Sequence, residues 1–142
     1  MKIGICNDHT GVGLKKAISA RLEAAGHGMV NFGTDTGLSA DYPDFAHRLA
    51  AAVEGGEVDA GIALCGTGNG MAMTLNKHRG IRAVLAWNRE IGRLAAAHNK
   101  ANVLVLPARF ITEDEALAAV DEWLATPFEG GRHLRRIDKI LP

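Results

Sequence analysis

The sequence predicts a doubly wound α/β protein, in which helices cover both faces of a five-stranded parallel sheet. Short apolar runs alternate with longer segments whose apolar residues recur at helical spacing, which is the pattern of repeated strand–helix–strand units. The third apolar run ends in a glycine-rich loop. At 142 residues the chain is long enough for one domain with a buried core. We therefore expect residues 1–142 to form a single domain that ends in a helical tail over about 129–142.

The first half of the chain is predicted to form two strands and two helices. The two helices are expected to end at glycines, Gly26 after the first and Gly55 after the second, because glycine readily ends a helix. The second strand is the weaker one. The predicted elements are a strand over 2–6, a helix over 14–25, a strand over 28–32 and a helix over 45–53.

The second half continues the alternation with three more strands. A glycine loop and a helix from about Met71 follow the third strand, and Thr112 with Glu115 forms a capping box that begins a later helix. The other predicted elements are strands over 58–64, 81–87 and 103–106, a helix over 88–100 and a short last helix in the tail.

The predicted strand order decides where a ligand would bind. Five strands joined by crossover helices suggest the order 2-1-3-4-5, in which strands one and three are neighbours and the chain winds away from them in opposite directions. Ligands bind at the carboxyl ends of strands at such a switch point. The loops that follow strands one and three carry Asp8, His9, Cys65 and Thr67. We expect these four side chains to converge.

The composition excludes several classes of function. With 47% apolar and 23% charged residues the chain has the balance of a globular protein. Its 16 basic and 16 acidic side chains cancel, whereas a nucleic-acid-binding protein carries a basic excess. No apolar run approaches the roughly 20 residues of a membrane span, and two cysteines are too few for a disulfide framework. These features predict a cytoplasmic protein with no nucleic-acid or membrane partner.

The loop CGTGNG, which follows the third strand, is suited to holding an anion. Gly66, Gly68 and Gly70 free the backbone to direct several N–H groups at one point, with a helix N-terminus behind them. The loop matches none of three common phosphate-binding motifs. A Walker loop needs Gly-Lys-Ser/Thr, which does not follow here, and a phosphotyrosine-phosphatase loop has an arginine where Met71 stands. A dinucleotide-binding fingerprint would open on the first strand and not on the third. A tight strand-to-helix turn is the alternative use of the same glycines.

Cys65 stands at the start of this loop. A cysteine at a helix N-terminus has its thiolate form stabilised, so it can act as a nucleophile or as a base in proton transfer. The alternative is a buried cysteine that serves only as a small apolar side chain. We interpret Cys6 in that second way, because no glycine loop follows it.

Five further side chains each allow a functional and a structural interpretation. Asp8 and His9 either cap the first helix or face the switch point, and His98 either interacts with the dipole of its helix or takes part in chemistry. Arg132 and Arg136, four residues apart on one helix face, either hold one phosphate or form a solvated basic face. The remaining histidines lack ligand-like spacing, so the sequence predicts no metal site; they are His27, His47, His78 and His133.

Together these segments resemble the ribose-5-phosphate isomerase B family of sugar-phosphate isomerases, over essentially the whole chain. The order and spacing of many separate pieces carry the resemblance. These are the Asp8-His9 pair with Gly11, DYPDFA (41–46), GEVDAGIALCGTGNG (56–70), NK (76–77) with GIRA (80–83), HNKANVL (98–104), and EGGRH (129–133) with Arg136.

The resemblance implies a flavodoxin-like fold and a reaction that interconverts D-ribose 5-phosphate and D-ribulose 5-phosphate, as in the pentose phosphate pathway, with no cofactor and no metal. It also implies a homodimer or homotetramer whose active sites are shared between subunits. Cys65 matches the family's proton-transfer base, with Thr67 beside it, and His98 matches the histidine that helps to open the furanose ring. The residues that match substrate contacts are Asp8, His9, Tyr42, Gly66, Gly68, Asn69, Gly70, Asn99, Arg109, Arg132 and Arg136, the last two of them as phosphate ligands.

Three departures from the family pattern concern the substrate. Met71 stands where some members have a glutamate base, which leaves the base assignment on Cys65, and Asn7 stands where a cysteine is common. The segment AWNREIGR (86–93) differs from the Asp-Pro-Tyr or Glu-Pro-Tyr of many members. The alternatives are therefore an isomerase of erythrose 4-phosphate, allose 6-phosphate or galactose 6-phosphate, or a non-catalytic sugar-phosphate-binding subunit.

Overall fold

A computed structural model describes all residues from Met1 to Pro142, and its five strands form one parallel sheet. Helices connect successive strands and a short 3-10 turn, His9–Gly11, precedes the first of them. None of the helices is long and apolar enough to pass through a bilayer. The elements are β1 (Lys2–Asn7), α1 (Val12–Ala24), β2 (Gly28–Asn31), α2 (Tyr42–Glu54), β3 (Ala60–Cys65), α3 (Asn69–Leu75), β4 (Ala83–Leu85), α4 (Arg89–Ala97), β5 (Val103–Pro107), α5 (Glu113–Ala125) and α6 (Arg132–Ile137).

The strand order is β2-β1-β3-β5-β4. The predicted α/β class and the neighbouring positions of β1 and β3 are confirmed, but the predicted order 2-1-3-4-5 is wrong for the last two strands. Every residue of β5 is buried, whereas β4 has only three residues, two of them partly exposed. A uniformly apolar strand is typical of the interior of a parallel sheet and a short, half-exposed strand is typical of its edge, so β5 pairs with β3 and β4 lies outside it.

The core consists of two apolar layers, one on each face of the sheet. Alternate residues of β3 point to opposite faces, as strand geometry requires. Ile62 and Leu64 pack in the layer formed with α1, α4 and α5, and Ala63 and Cys65 pack in the layer formed with α2 and α3. Cys65 thus lies under α2 and α3 at the end of its strand.

The helix boundaries follow from local hydrogen bonds and close contacts. Thr112 accepts a hydrogen bond from the N–H of Glu115 at 3.1 Å, which confirms the predicted start of α5. Gly92 allows α4 and α5 to lie close together, because a β-carbon there would be 2.5 Å from the carbonyl oxygen of Ala119. The helix predicted over 88–100 is shorter in the structure, and α4 ends at Ala97 with His98 as its C-cap.

The tail attaches to the end of α4. The N–H of Glu129 donates to the carbonyl oxygen of Ala97 at 3.0 Å, and two glycines with positive φ, Gly130 (71°) and Gly131 (56°), turn the chain into α6. His133 on α6 is buried. The tail therefore brings side chains of α6 next to His98.

Candidate active site

A cleft of about 290 Å³ lies at the carboxyl ends of β1 and β3. The four side chains expected at the switch point, namely Asp8, His9, Cys65 and Thr67, all line it, so the structure brings them together as predicted. A larger cavity of about 440 Å³ lies elsewhere, between β4 and the tail, and its lining includes Asn99 but no cysteine, histidine or acidic residue. The full lining of the smaller cleft is Asp8, His9, Thr10, Tyr42, Cys65, Gly66, Thr67, Gly70, Met73 and Arg109.

Asp8 is held rigidly at the start of the cleft. Its Oδ1 accepts hydrogen bonds from the N–H of Thr10 at 2.9 Å and from the Thr10 hydroxyl at 2.6 Å, so Asp8 caps the short turn that follows β1. The first helix, α1, is not capped by Asp8: its N-cap is Gly11, which makes no side-chain cap hydrogen bond. The second carboxylate oxygen, Oδ2, makes no hydrogen bond within the chain, and it is the one available to a ligand.

His9 is oriented by the loop between β2 and α2. The N–H of Ala40 donates to Nδ1 of His9 at 3.2 Å. Because Nδ1 accepts this bond, the proton of the neutral ring is on Nε2. His9 therefore offers an N–H donor through its other ring nitrogen.

The glycine loop approaches its neighbours so closely that side chains would not fit. Gly68 has φ of 77°, and a β-carbon on it would be 2.3 Å from Leu85. A β-carbon on Gly70 would lie 2.3 Å from Cζ of Tyr42, so the phenol ring rests on the loop. These contacts explain why glycines are needed here, beyond the freedom that an anion-binding loop requires.

The loop leaves several N–H groups free. The first hydrogen bond into α3 runs from the N–H of Ala72 to the carbonyl oxygen of Gly68 at 3.0 Å, so the N–H groups of Gly70 and Met71 have no acceptor in the chain. Asn69 differs, since its N–H donates to Oγ1 of Thr67 at 3.2 Å. That bond uses an acceptor site of the hydroxyl and leaves its proton available for donation.

Cys65 is 4% exposed at the mouth of this loop, and neither cysteine forms a disulfide. Cys6 lies fully buried in the same apolar layer. Burial raises the pKa of the Cys6 thiol well above its usual value, and the nearby Cys65 raises it further. Cys6 therefore stays protonated, in keeping with a structural role.

Arg109 lies at the edge of the cleft. Its N–H donates to the carbonyl oxygen of Gly66 at 3.0 Å, and its side chain runs beside the same glycine. Since Arg109 is exposed, it places a positive charge at the open side of the site.

Four other predicted site residues lie at the opposite end of the sheet, where the strands begin. They are His98, Asn99, Arg132 and Arg136. Because α4 returns from the carboxyl end of β4 to the start of β5, His98 and Asn99 lie where the strands begin. Cys65 is at the far end of β3, a strand length away, which is roughly 17–20 Å. One chain does not bring His98, Asn99, Arg132 and Arg136 together with Cys65.

His98 is part of a compact polar group at that end. Its imidazole ring stacks on that of His133 with centroids 4.1 Å apart and planes 14° apart. Oε2 of Glu129 is 3.6 Å from Nε2 of His98 and 3.5 Å from Nε2 of His133. This group was not predicted from the sequence, where His133 has no ligand-like spacing from the other histidines. Its signal is the four-residue spacing between Glu129 and His133.

The fold and the cleft together define a class of protein, a flavodoxin-like α/β protein with a polar cleft at the switch point of its sheet. The chain belongs to the ribose/galactose isomerase family, whose family model matches residues 3–140. The resemblance inferred from the sequence motifs is thereby confirmed.

Relatives of known sequence and structure agree with this assignment. Ribose-5-phosphate isomerase B of Escherichia coli is 42% identical over 139 residues, which cover 98% of this chain and 93% of that protein. The solved structure of ribose-5-phosphate isomerase B from Clostridium thermocellum has a TM-score of 0.96 at 46% identity, covering 99% of this chain and 95% of that one. The enzyme of Mycoplasma genitalium, solved with bound ribulose-5-phosphate, has a TM-score of 0.94 at 44% identity, covering 99% and 93%.

Proposed function

We propose that the protein is an aldose–ketose isomerase that interconverts D-ribose 5-phosphate and D-ribulose 5-phosphate. The observation that carries the proposal is the position of Cys65, whose thiol lies in the cleft beside a loop with free N–H groups. A related chain, 44% identical over nearly its whole length, was solved with the ketose product of this reaction bound. The reaction needs one base and a set of donors for a developing oxyanion, and the cleft contains both.

Cys65 is the base in this proposal. As a thiolate it removes the proton from C2 of the open-chain aldose, the electrons move into a C1–C2 double bond, and the former carbonyl oxygen at C1 becomes an enediolate oxygen. The same thiol then returns the proton to C1, while the proton of the C2 hydroxyl passes to the enediolate oxygen at C1, so that C2 becomes the ketone and C1 the alcohol. One base on one face of the enediolate is sufficient, so a single cysteine can serve both half-reactions.

The loop from Gly66 to Gly70 stabilises the enediolate. The free N–H groups of Gly70 and Met71 are fixed before the substrate arrives, so they need no reorganisation when charge develops. The hydroxyl of Thr67, held by the N–H of Asn69, is a further donor beside them. Gly68 keeps the turn that directs these groups into the cleft.

The remaining groups of the cleft hold the sugar. Oδ2 of Asp8 can accept from a sugar hydroxyl, and the phenol of Tyr42 lies beside it in the same lining. The Nε2–H of His9 and the guanidinium of Arg109 are donors suited to phosphate oxygens. These side chains bind and orient the substrate, and Cys65 acts on it.

A second copy of the chain completes the site in our proposal. His98 has the role of opening the furanose ring, with Asn99 as a further substrate contact, while Arg132 and Arg136 bind the phosphate. These four side chains lie at the end of the sheet opposite Cys65, so a single chain holds two half-sites. A homodimer, or a tetramer built from dimers, joins one half-site of each copy.

The surface around the cleft supports this assembly. Met73, Trp87 and Phe110 are exposed, although each is large and apolar. Met73 lines the cleft, Phe110 follows Arg109, and Trp87 follows the carboxyl end of β4. Exposed apolar side chains around a polar cleft are typical of a surface that another protein covers. The two unpaired cysteines accord with the reducing conditions of the cytoplasm, where we place the enzyme.

A substrate panel tests the proposed function. The purified protein is assayed with ribose 5-phosphate, erythrose 4-phosphate, allose 6-phosphate and galactose 6-phosphate, and we expect the highest kcat/KM for ribose 5-phosphate. A higher value for another sugar would transfer the assignment to that substrate. Binding of all four without turnover would identify a non-catalytic sugar-phosphate-binding protein instead.

A further inference from the structure

The polar group at the start of β5 contains an unpartnered nitrogen. Nε2 of His133 is buried and makes no hydrogen bond, although the residue is only 5% exposed. Buried polar atoms almost always have a partner, so this nitrogen is a candidate donor to a ligand. It points toward Glu129, whose nearest carboxylate oxygen is 3.5 Å away.

Three donor atoms converge there. They lie within 4.8 Å of one another and are an imidazole nitrogen of His98, an imidazole nitrogen of His133 and a carboxylate oxygen of Glu129. Two imidazoles and one carboxylate, with water as the fourth ligand, form a common tetrahedral zinc site. With metal–ligand bonds of about 2.0–2.2 Å, neighbouring ligand atoms in such a site are roughly 3.4 Å apart, close to the two observed nitrogen–oxygen distances.

We propose that His98, Glu129 and His133 bind a divalent transition-metal cation of the zinc type, and that the bound cation inhibits the isomerase. The binding half of this inference stands on the side chains alone. The inhibition half rests on the proposed function, because it requires that His98 take part in the reaction.

The charges around the three donor atoms are mixed. The carboxylate of Glu129 attracts a cation, whereas the guanidinium groups of Arg132 and Arg136 lie near His133 and oppose it. We therefore expect weaker binding than at a structural zinc site.

The geometry also explains how binding would inhibit. The stacked rings hold their nitrogens side by side, so one ring must turn for both nitrogens to reach one cation. The side chain of His98 is 36% exposed and that of His133 is 7% exposed, so the ring with room to turn is that of His98. Metal binding therefore moves His98 away from the position in which it would meet the sugar.

A second group of two histidines and one glutamate lacks these properties. His47 and His78 are joined by a 2.7 Å hydrogen bond between Nδ1 and Nε2, and Nδ1 of His78 is 3.3 Å from Oε2 of Glu54. Oε1 of Glu54 accepts from the N–H of Gly80 at 2.7 Å. Because both ring nitrogens of His78 and both carboxylate oxygens of Glu54 already have partners within the chain, this group is the matched control.

Cobalt(II) titration of the full-length protein tests the binding. Tetrahedral Co²⁺ absorbs strongly in the visible range, and we expect one such site per chain in the wild type and in His78→Gln. Glu129→Gln should lower the Co²⁺ affinity by about tenfold or more, because one of three protein ligands is lost. An unchanged affinity in Glu129→Gln would overturn the inference, and so would loss of the band in His78→Gln.

Two further measurements test where the metal binds and whether it inhibits the enzyme. Cys65→Ser should keep the cobalt band, and a sulfur-to-cobalt band that disappears in this variant would place the metal at Cys65 and overturn the inference. Zn²⁺ should inhibit the wild type, and Glu129→Gln should need about tenfold more Zn²⁺ for the same fractional inhibition. If Zn²⁺ inhibits the wild type and Glu129→Gln at the same concentration, the inferred inhibition through this site is wrong. A cobalt site in a protein that turns over no sugar phosphate would contradict the proposed isomerase activity and leave the metal site standing.

Discussion

The phenol ring of Tyr42 rests on the backbone of Gly70, so closely that a β-carbon on this glycine would lie 2.3 Å from Cζ of the ring. This contact joins the first residue of α2 to the loop that carries the free N–H groups. The position of the loop therefore depends on the absence of a side chain at residue 70.

Gly70→Ala should lower kcat/KM for ribose 5-phosphate by at least about tenfold, because moving either Tyr42 or the loop by about 1 Å misplaces the donors for the enediolate. Gly13→Ala is the matched control. It lies in α1 with no atom within 4 Å of the new methyl group, and alanine in a helix is more favourable than glycine by roughly 0.5–1 kcal/mol. Steady-state kinetics and thermal unfolding of both variants check this, and wild-type kinetics in Gly70→Ala would show that the contact is dispensable.

Replacing Arg132 or Arg136 by alanine should raise KM with little change in kcat. Each lost charge-assisted contact with the phosphate costs roughly 1.5–3 kcal/mol, which corresponds to about a 10- to 150-fold rise in KM. Arg135→Ala, on the same short helix, removes equal charge without removing either predicted phosphate ligand and should leave KM nearly unchanged. If all three variants have the same KM, the tail is only a solvated basic face.

Mixing two inactive variants tests whether the site is shared between chains. Cys65→Ala and His98→Asn each remove one half-site, and a mixed dimer regains one intact site. After equal amounts are unfolded together and refolded, random pairing in a two-fold dimer predicts recovery of about one quarter of the wild-type activity. Equal amounts of each variant refolded alone serve as the control. If the mixture recovers nothing beyond these controls, both residues act within one chain or one of them is not needed.

The stability of the protein should decrease as the pH falls below about 6.5, the usual histidine value, partly because of His133. Its pKa in the folded chain is lowered, chiefly by burial, so the unfolded chain binds more protons than the folded chain between the two pKa values. The contribution of the neutral ring is thus complete above pH 6.5 and is lost as the pH falls toward the folded pKa. Thermal unfolding of the wild type and of His133→Gln between pH 7.5 and about 5 measures this. The Tm of the variant should fall less steeply with acidity, and parallel curves would contradict the expectation.

Much of the fold could be predicted because local pattern and topology agree. The five apolar runs, the glycine ends of the helices and the capping residue Thr112 are local signals, and parallel connections then place β1 beside β3. The position of β4 was predicted wrongly because strand order was inferred from chain order alone. The full burial of β5 against the partial exposure of β4 decides that question, and the exposure of a strand depends on its neighbours.

The candidate site divides in the same way. Asp8, His9, Cys65 and Thr67 converge as predicted, because each directly follows one of two adjacent strands. The separation of His98 from Cys65 follows from the direction of α4. It could have been predicted, because a helix that connects parallel strands ends where the next strand begins. The stacking of His98 on His133 and the orphaned Nε2 could not be predicted, since they depend on how the turn at Gly130 and Gly131 sets α6 against the end of α4.

In the proposed reaction, Cys65 transfers the proton between C2 and C1 of the sugar. The most direct test is the rate at which deuterium bound to C2 of ribose 5-phosphate is lost or moved, measured by NMR with the wild type, Cys65→Ala and the control Cys6→Ala. We expect Cys6→Ala to transfer the proton at about the wild-type rate. In Cys65→Ala the rate should fall by about 10²–10⁴-fold, although this variant should still bind the sugar phosphate. Transfer at the wild-type rate in Cys65→Ala would show that another group is the base.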